Sequence, residues 1–183
     1  TKLKAENLII KKCKKMKINF GILRYFNIVG ASPSGKIGLI NQSDHLFKNF
    51  STQTLRKKPV FKIYGNKYNT IDGSCVRDFI HVSDVAEIHK KVLMKIDKVN
   101  KSIILNCGYN KGYTVLEIVK EFSEVIKKDI KIKFLRKRLD DISQIYCSNK
   151  RLLKIFPNWK RKYFIKDSIR NMLNWEKKIK KKF

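Results

Sequence analysis

The stretch Gly30–Ile37 contains residue types that bind phosphate in nucleotide hydrolases. It follows an apolar segment and almost matches the P-loop pattern, in which backbone N–H groups surround a phosphate and Ser or Thr follows a lysine. Here Ile37 follows Lys36 and has no hydroxyl for a magnesium ion, and Pro33 lacks a backbone N–H donor. We therefore interpret this stretch as a loop after a strand, not as a triphosphate site.

The four cysteines are the next candidates for chemistry, as metal ligands or disulfide partners. They are scattered and form no C-x-x-C pair, at Cys13, Cys75, Cys107 and Cys147. We expect neither a metal site nor a disulfide framework, and a reducing cytoplasm fits them best. No apolar run approaches the roughly 20 residues of a membrane span, and no charged-then-apolar leader opens the sequence. A cytoplasmic protein without a membrane partner is the expectation.

The charge of the chain raises the alternative of a basic nucleic-acid-binding module. The 183 residues include 43 Lys+Arg and 15 Asp+Glu, which gives a formal net charge of +28. Lysine outnumbers arginine 35 to 8, however, and the lysines are spread along the whole chain. Base readers and phosphate clamps favour arginine. We expect a solvated basic surface that binds polyanions without sequence specificity, and no specific nucleic-acid partner.

Apolar periodicity and turn residues predict alternating helices and strands. Helices are predicted over 1–14, 45–58, 83–96, 148–156 and 165–177, with another behind the capping box Thr114–Glu117. Ser83 or Asp84 is expected to cap the third helix. Strands are predicted over 18–25, 61–64, 76–82, 103–106 and 130–135. With 43% hydrophobic residues and no internal repeat, the chain is predicted to be α/β or mixed α+β, as one domain or part of a larger one.

Four segments stand out together: Leu23–Ala31, Tyr64–Val82 with its Asp72–Val82 motif, Asn106–Glu117 and Arg138–Asp141. In this order and at this spacing they resemble one family, the UDP-glucose 4-epimerases of the extended short-chain dehydrogenases/reductases. The resemblance covers essentially the whole chain and implies an α/β fold. Residues 1–30 would form the last part of an NAD-binding Rossmann domain. Residues 31–183 would form mainly a smaller mixed α/β domain for the UDP-sugar, with some segments returning to the Rossmann sheet.

The resemblance also implies that two sequence features of the family are missing from these 183 residues. The family's dinucleotide-binding half opens with a strand and G-x-x-G-x-x-G, and no such motif occurs here. Its catalytic pair is Y-x-x-x-K, and Thr1-Lys2 resembles the last two residues of that motif. We therefore expect a C-terminal half that lacks the catalytic tyrosine and is inactive alone. The full-length form is expected to be a homodimer.

The implied reaction interconverts UDP-glucose and UDP-galactose through transient oxidation at C4 by tightly bound NAD. Lys2 would lower the pKa of the tyrosine and hydrogen-bond the nicotinamide ribose. Tyr25 and Phe26 would lie beside the nicotinamide. The alternatives are a surface lysine at position 2 and ordinary strand core at positions 25 and 26. Related nucleotide-sugar dehydratases and decarboxylases carry looser versions of the same segments and remain a second alternative.

The resemblance implies that Arg77 and Arg138 bind the two phosphates of UDP. The planar guanidinium group of arginine can donate two hydrogen bonds to phosphate oxygens. Asp141 would orient Arg138 or bind the ribose. The alternative for the arginines is ordinary ion pairing with Asp78 or Asp141. The remaining implied contacts are Asn27 with the nucleotide-sugar, His45 and Leu46 with the diphosphate and uridine, and Lys62 and Tyr64 with the uracil.

Several positions depart from the family pattern or set its specificity. Asp140 replaces a usual glycine near the phosphates, and Lys48 stands where a proline is usual. Ile145 falls at the position that gates sugar size, which predicts a preference for UDP-glucose and UDP-galactose over N-acetylated sugars. His81 is predicted to be structural.

Overall fold

The computed structural model describes residues 1–40 and 45–180; residues 41–44 and 181–183, which belong to the second predicted domain, lie outside the described residues. Helices and strands alternate, as the sequence predicts. The helices are α1 (Lys2–Lys15), α2 (Leu46–Thr54), α3 (Val82–Val99), α4 (Val115–Ile126), α5 (Lys150–Ile155) and α6 (Ile165–Lys180). The strands are β1 (Gly21–Tyr25), β2 (Asn27–Val29), β3 (Val60–Tyr64), β4 (Val76–His81), β5 (Ile103–Cys107), β6 (Gly112–Thr114), β7 (Lys131–Leu135) and β8 (Gln144–Ile145).

In the part of the chain that the structure describes, the strands form three small sheets, and β4 is the central strand of the largest. It pairs in parallel with β2 and β8 and antiparallel with β6. The strand β1 pairs in parallel with β5, with Tyr25 opposite Cys107, and β3 pairs in parallel with β7. The strand β5, which lies late in the chain, is therefore the partner of β1. The division into two domains near residue 30 stays a prediction.

Two apolar clusters hold these layers together. In the larger cluster, α2, α4 and α6 pack on β3 and β4, and Phe122 touches the rings of Phe47, Phe50 and Phe61. In the second, the fully buried Ile88 of α3 belongs to one cluster with apolar residues of β5 and α5, and α3 packs against β1 and β5. Burial of these large side chains is the main favourable free energy of the fold. It fixes α2 over β3, where the candidate site forms.

The structure corrects two predicted boundaries. The strand predicted from residue 18 begins at Gly21, because Lys17 adopts a left-handed φ of 54° after α1 and Ile18–Phe20 form the connection. The third helix is capped by His81, not by Ser83 or Asp84: the His81 imidazole accepts a hydrogen bond from the Ser83 N–H. The buried, structural His81 is otherwise as predicted.

The predicted capping box of α4 is confirmed, and other helix ends move by a few residues. The Thr114 hydroxyl accepts from the Glu117 N–H at 3.0 Å, and the Glu117 carboxylate accepts from the Thr114 N–H at 2.7 Å. The helix predicted from 45 to 58 ends at Thr54, and the one predicted from 148 begins at Lys150. Within residues 1–40 and 45–180, no helix is long and apolar enough to cross a membrane.

Candidate functional site

A cavity of about 560 Å³ lies where α2, β3 and β4 meet, beside the loop that follows β7. Most residues predicted to bind the nucleotide-sugar line it: Asn27, His45, Leu46, Lys62, Tyr64, Arg77, Arg138 and Asp141. They come from five separate parts of the chain and meet only in the folded structure. The contacts predicted for them with a ligand stay predictions.

Arg77 lies on β4 and is held by two contacts. Its Nη2 is 3.6 Å from Asp141 Oδ1, and its Nη1 donates to the Val76 carbonyl at 2.8 Å. Its side chain is only 17% exposed. The ion pairing that the sequence leaves as an alternative therefore does occur, with Asp141. The guanidinium is fixed in one orientation at the cavity, which suits bidentate contact with an anion.

Tyr68 supports the carboxylate of Asp141 from the other side. Its hydroxyl donates to Asp141 Oδ2 at 3.4 Å. Burial, followed by the neighbouring Cys75 and Asp141, raises the pKa of the Tyr68 phenol well above its ordinary range. Tyr68 is therefore a neutral donor near pH 7, and the Arg77–Asp141–Tyr68 contacts form a continuous chain.

Arg138 and Tyr64 form a stacked pair at the mouth of the same cavity. The guanidinium carbon of Arg138 is 3.9 Å from the centre of the Tyr64 ring. Tyr64 is 37% exposed, so part of its ring remains available beside this contact. The cavity thus combines a second cation with an aromatic surface, which is the chemistry needed for a nucleotide with a diphosphate.

His45 contributes a neutral ring to the cavity wall. Its Nε2 lies 2.7 Å from the Ile28 carbonyl oxygen, which can only accept, so Nε2 carries the proton. Burial lowers the pKa of His45 below its ordinary value, with the Ile28 hydrogen bond as a smaller opposing effect. The buried Nδ1 has no hydrogen-bond partner among the described residues and is a free acceptor.

Sequence reasoning missed two polar cavity residues, Asn49 and Gln53. Both lie on α2 one turn apart, in register with His45. The i, i+4 spacing from His45 is the signal that could have found them. They add amide groups to the cavity lining, to which Lys62 of β3 also contributes.

The residues predicted to face the cofactor lie apart from this cavity. Tyr25 ends β1 and is 44% exposed, and Phe26 connects it to β2. Lys2 begins α1, whose Glu6 one turn later accepts from Arg24 Nε of β1 at 3.0 Å. The start of α1 is thereby tied to the carboxyl end of a parallel strand, where open α/β sheets bind ligands. The Lys2 ammonium group could bind ribose hydroxyls, and the exposed Tyr25 ring could contact a nicotinamide ring. Both are groups that a nicotinamide nucleotide can use.

The remaining predicted positions lie outside the cavity lining. Ile145 on β8 is 40% exposed and sits opposite Arg77 of β4 in register. Asp140 is exposed, so its carboxylate meets solvent. Lys48 is buried on the far side of α2, where it pairs with Glu176. The described residues contain no group of three or more His, Cys, Asp or Glu side chains that could hold a metal ion.

Comparison with known proteins identifies the family to which this fold and site belong. The model of the NAD dependent epimerase/dehydratase family matches residues 1–108. The chain belongs to this family. Membership in the NAD dependent epimerase/dehydratase family accounts for the alternating elements and for the parallel pairing of β1 with β5, and it confirms the resemblance seen in the sequence.

Curated relatives and solved structures agree. The chain is 36% identical over 160 residues to a UDP-glucose 4-epimerase of Azospirillum brasilense, covering 86% of the chain and 46% of that protein. It is 34% identical to a UDP-glucose 4-epimerase of Dictyostelium discoideum, covering 96% and 52%. The UDP-glucose-4-epimerase structure from Stenotrophomonas maltophila, with bound NAD and formylated UDP-arabinopyranose, superposes with a TM-score of 0.92 at 28% identity, covering 99% and 55%.

A second epimerase structure, from Bifidobacterium longum in complex with NAD+ and UDP, gives a TM-score of 0.86 at 30% identity and covers 99% of this chain and 54% of that one. These superpositions confirm the predicted α/β Rossmann-type fold class. The chain spans about half the length of the curated relatives it matches.

Proposed function

We propose that this chain is the nucleotide-sugar-binding part of a UDP-glucose 4-epimerase. The whole protein would be an isomerase that interconverts UDP-glucose and UDP-galactose in nucleotide-sugar and galactose metabolism. The observation that carries the proposal is the cavity in which Arg77, Arg138 and Tyr64 come together. The relatives named UDP-glucose 4-epimerase support the reaction type.

In this proposal the cavity binds UDP by charge and stacking. Arg77 and Arg138 bind the two phosphates, because paired guanidinium forks match phosphate oxygens and stay charged at all physiological pH values. Tyr64 and Lys62 bind the uracil, while His45 and Leu46 border the diphosphate and uridine. A phosphate oxygen near Arg77 competes with Asp141, which then turns to the ribose or to Arg138.

The sugar would lie beside Asn27 of the cavity lining, whose side-chain amide donates to the Asp78 carbonyl at 3.2 Å and is held in place. Ile145, opposite Arg77, would border the sugar. Its intermediate size supports a preference for UDP-glucose and UDP-galactose over N-acetylated sugars. A restored full-length enzyme that turned over both pairs equally would contradict this preference.

The proposed cofactor is NAD, which when bound supplies reversible oxidation at the sugar C4. This chain's own residues would position it: Lys2 through its ammonium on the ribose, and Tyr25 and Phe26 beside the nicotinamide. The 183 residues contain no G-x-x-G-x-x-G motif, and the tyrosine of the Y-x-x-x-K motif that Lys2 would complete falls three positions before Thr1. We therefore propose that the chain alone binds UDP but does not epimerise.

The proposal includes a cytoplasmic location and a homodimeric full-length form. The location is supported by the four cysteines, which are all free thiols, as is usual in reducing compartments. The division into an NAD-binding part, 1–30, and a mainly UDP-sugar-binding part, 31–183, is proposed on the same family resemblance.

Isothermal titration of UDP into the chain tests the central proposal. Wild-type protein should bind UDP, and Arg138→Lys should weaken binding by about tenfold or more, since a hydrogen bond to a charged group contributes about 1.5–3 kcal/mol. Arg136→Lys is the matched control, because Arg136 is exposed and lies outside the cavity lining. It should bind like the wild type.

The absence of UDP binding, or an equal loss in both variants, would contradict the proposal. Product analysis separates the related chemistries. The natural protein supplied with UDP-glucose and NAD should release UDP-galactose. A keto-deoxy sugar or carbon dioxide, formed from the corresponding UDP-sugars, would indicate a dehydratase or a decarboxylase instead.

A further inference from the structure

Tyr25 and His89 form a hydrogen-bonded pair at the carboxyl end of β1. The Tyr25 hydroxyl oxygen is 2.6 Å from His89 Nε2. The two rings are stacked, with their centres 5.6 Å apart and an interplanar angle of 26°. The pair joins the last residue of β1 to α3, and both residues are exposed.

A second contact fixes which atom donates. His89 Nδ1 lies 2.9 Å from the Val85 carbonyl oxygen, one turn earlier on α3. A carbonyl oxygen can only accept, so Nδ1 carries the imidazole proton. In the neutral ring Nε2 is then an acceptor, and the proton between the two side chains belongs to Tyr25. The hydroxyl of Tyr25 is therefore the donor to His89.

This arrangement decides what Tyr25 can offer to a ligand. A phenol has one proton, and here it is used by His89, so the oxygen presents only lone pairs to the open side. Partial loss of hydration, together with the neighbouring Cys107, raises the pKa of Tyr25 above its ordinary value, so the oxygen keeps this proton at neutral pH. Tyr25 is thus an acceptor, and a ligand group beside it must be a donor.

We propose that His89 is a positioning residue that holds Tyr25 as a hydrogen-bond acceptor for the carboxamide N–H group of a nicotinamide ring. The choice of ligand rests on the proposed function, in which Tyr25 lies beside the nicotinamide. The role of His89 rests on the two hydrogen bonds and the ring contact alone. A hydrogen bond between two exposed side chains adds little stability, so a positioning role predicts variants that remain folded.

The first experiment reads the tautomer of His89 without any ligand. Two-bond proton–nitrogen correlation spectra of the ¹⁵N-labelled chain distinguish the two neutral forms, and His89→Phe assigns the signal. We expect the Nδ1–H form for His89 in the wild type and a shifted Nε2 resonance in Tyr25→Phe. An Nε2–H form, or an Nε2 resonance that Tyr25→Phe leaves unchanged, would overturn the positioning role.

The second experiment measures the ligand contact in the natural protein with all the residues that its gene encodes. The probes are NAD and its 3-acetylpyridine analogue, which lacks the amide N–H donor. Wild-type protein should bind NAD about five- to tenfold more tightly than the analogue, the effect of one hydrogen bond of about 1 kcal/mol. Tyr25→Phe, His89→Phe and the double variant should each bring this ratio close to one.

Tyr146→Phe is the control, because it removes the hydroxyl of another exposed tyrosine and should leave the ratio unchanged. A ratio that stays at the wild-type value in all variants would overturn the inference while leaving the proposed function intact. If NAD fails to bind to any form, the proposed cofactor and its carboxamide contact both fail, and the tautomer spectra still decide the role of His89. If His89→Phe does not fold, His89→Gln serves as the second variant.

Discussion

Lys48 and Glu176 form an ion pair inside the protein, with 2.6 Å between Nζ and Oε1 and each side chain only 5% exposed. Lys48 also donates to the Leu39 carbonyl at 3.0 Å. Removing one partner of such a pair leaves an uncompensated buried charge. Glu176→Gln should therefore lower the free energy of unfolding by about 3–5 kcal/mol, measured by urea denaturation.

The double variant Lys48→Met/Glu176→Met is the decisive comparison. It removes both charges, and it should recover most of the stability lost in Glu176→Gln, because well-packed apolar residues often replace a buried pair at no cost. Glu124→Gln is the control: its ion pair with Lys166 is exposed, and its loss should change stability little. Equal losses in the two Glu→Gln variants would contradict this account.

The half-buried His45 and the buried His81 should make the protein less stable in mild acid. Burial lowers the pKa values of His45 and His81, so the unfolded chain takes up protons near pH 6.5 while the folded chain still excludes them. The free energy of unfolding should therefore fall as the pH drops from about 6.5, with a slope approaching about 1.4 kcal/mol per pH unit for each histidine.

Urea denaturation between about pH 7.5 and pH 5.5 measures this slope, above the range in which most carboxylates titrate. His45→Gln keeps a donor for Ile28, and His81→Asn keeps a cap acceptor for Ser83. Each variant should flatten the pH dependence. If neither variant changes the slope of the unfolding free energy against pH, groups other than these two histidines cause the pH dependence.

The start of α4 depends on the reciprocal hydrogen bonds of Thr114 and Glu117. Thr114→Ala removes the acceptor for the Glu117 N–H and should cost about 0.5–2 kcal/mol of unfolding free energy in urea denaturation. Thr114→Ser keeps the hydroxyl and should lose much less. If both variants lost the same amount, the buried methyl group rather than the cap would be responsible.

The sequence predicted those elements whose signals are local. The capping box marked α4, and the run 103–106, which is apolar up to Leu105, marked β5. The strands β2, β6 and β8 have two or three residues each, so they carry no period of their own and exist through pairing with β4. The prediction that Ser83 or Asp84 caps α3 was wrong, because the His81 imidazole, and not a hydroxyl or carboxylate, accepts the hydrogen bond at this helix end.

The site was predictable to the extent that the family resemblance selected its residues. It selected Arg77 and Arg138 from the eight arginines, and both line the cavity. Asn49 and Gln53 line it too, but amides are ordinary on a helix surface and only packing of α2 over β3 turns them inward. The Tyr25–His89 contact spans 64 positions and depends on β1 lying against α3.

The whole molecule carries a net charge of +28, and this should govern its behaviour toward polyanions. Affinity for duplex DNA should fall by about a hundredfold or more between about 50 mM and about 200 mM salt, because many counterions are released on binding. Two unrelated duplexes of equal length should bind alike in filter-binding or anisotropy assays. UDP binding should depend much less on salt, since it involves only two phosphates.

A strong preference for one DNA sequence that persists at high salt would contradict this prediction and favour the nucleic-acid-binding alternative. UDP binding at the same salt concentration is the internal reference. It shows that the fold is intact where the DNA affinity has been lost.

The helix α6 follows every other described element along the chain, yet its Ile165, Ile169 and Met172 belong to the same apolar cluster as Phe47 on α2. During synthesis α2 and β3, which form the cavity wall, therefore leave the ribosome roughly ten seconds before α6, which packs against α2. Until then this apolar surface meets solvent or a chaperone. Slow codons between β3 and α6 would lengthen that exposure, so the yield of folded protein should depend on translation speed in this interval.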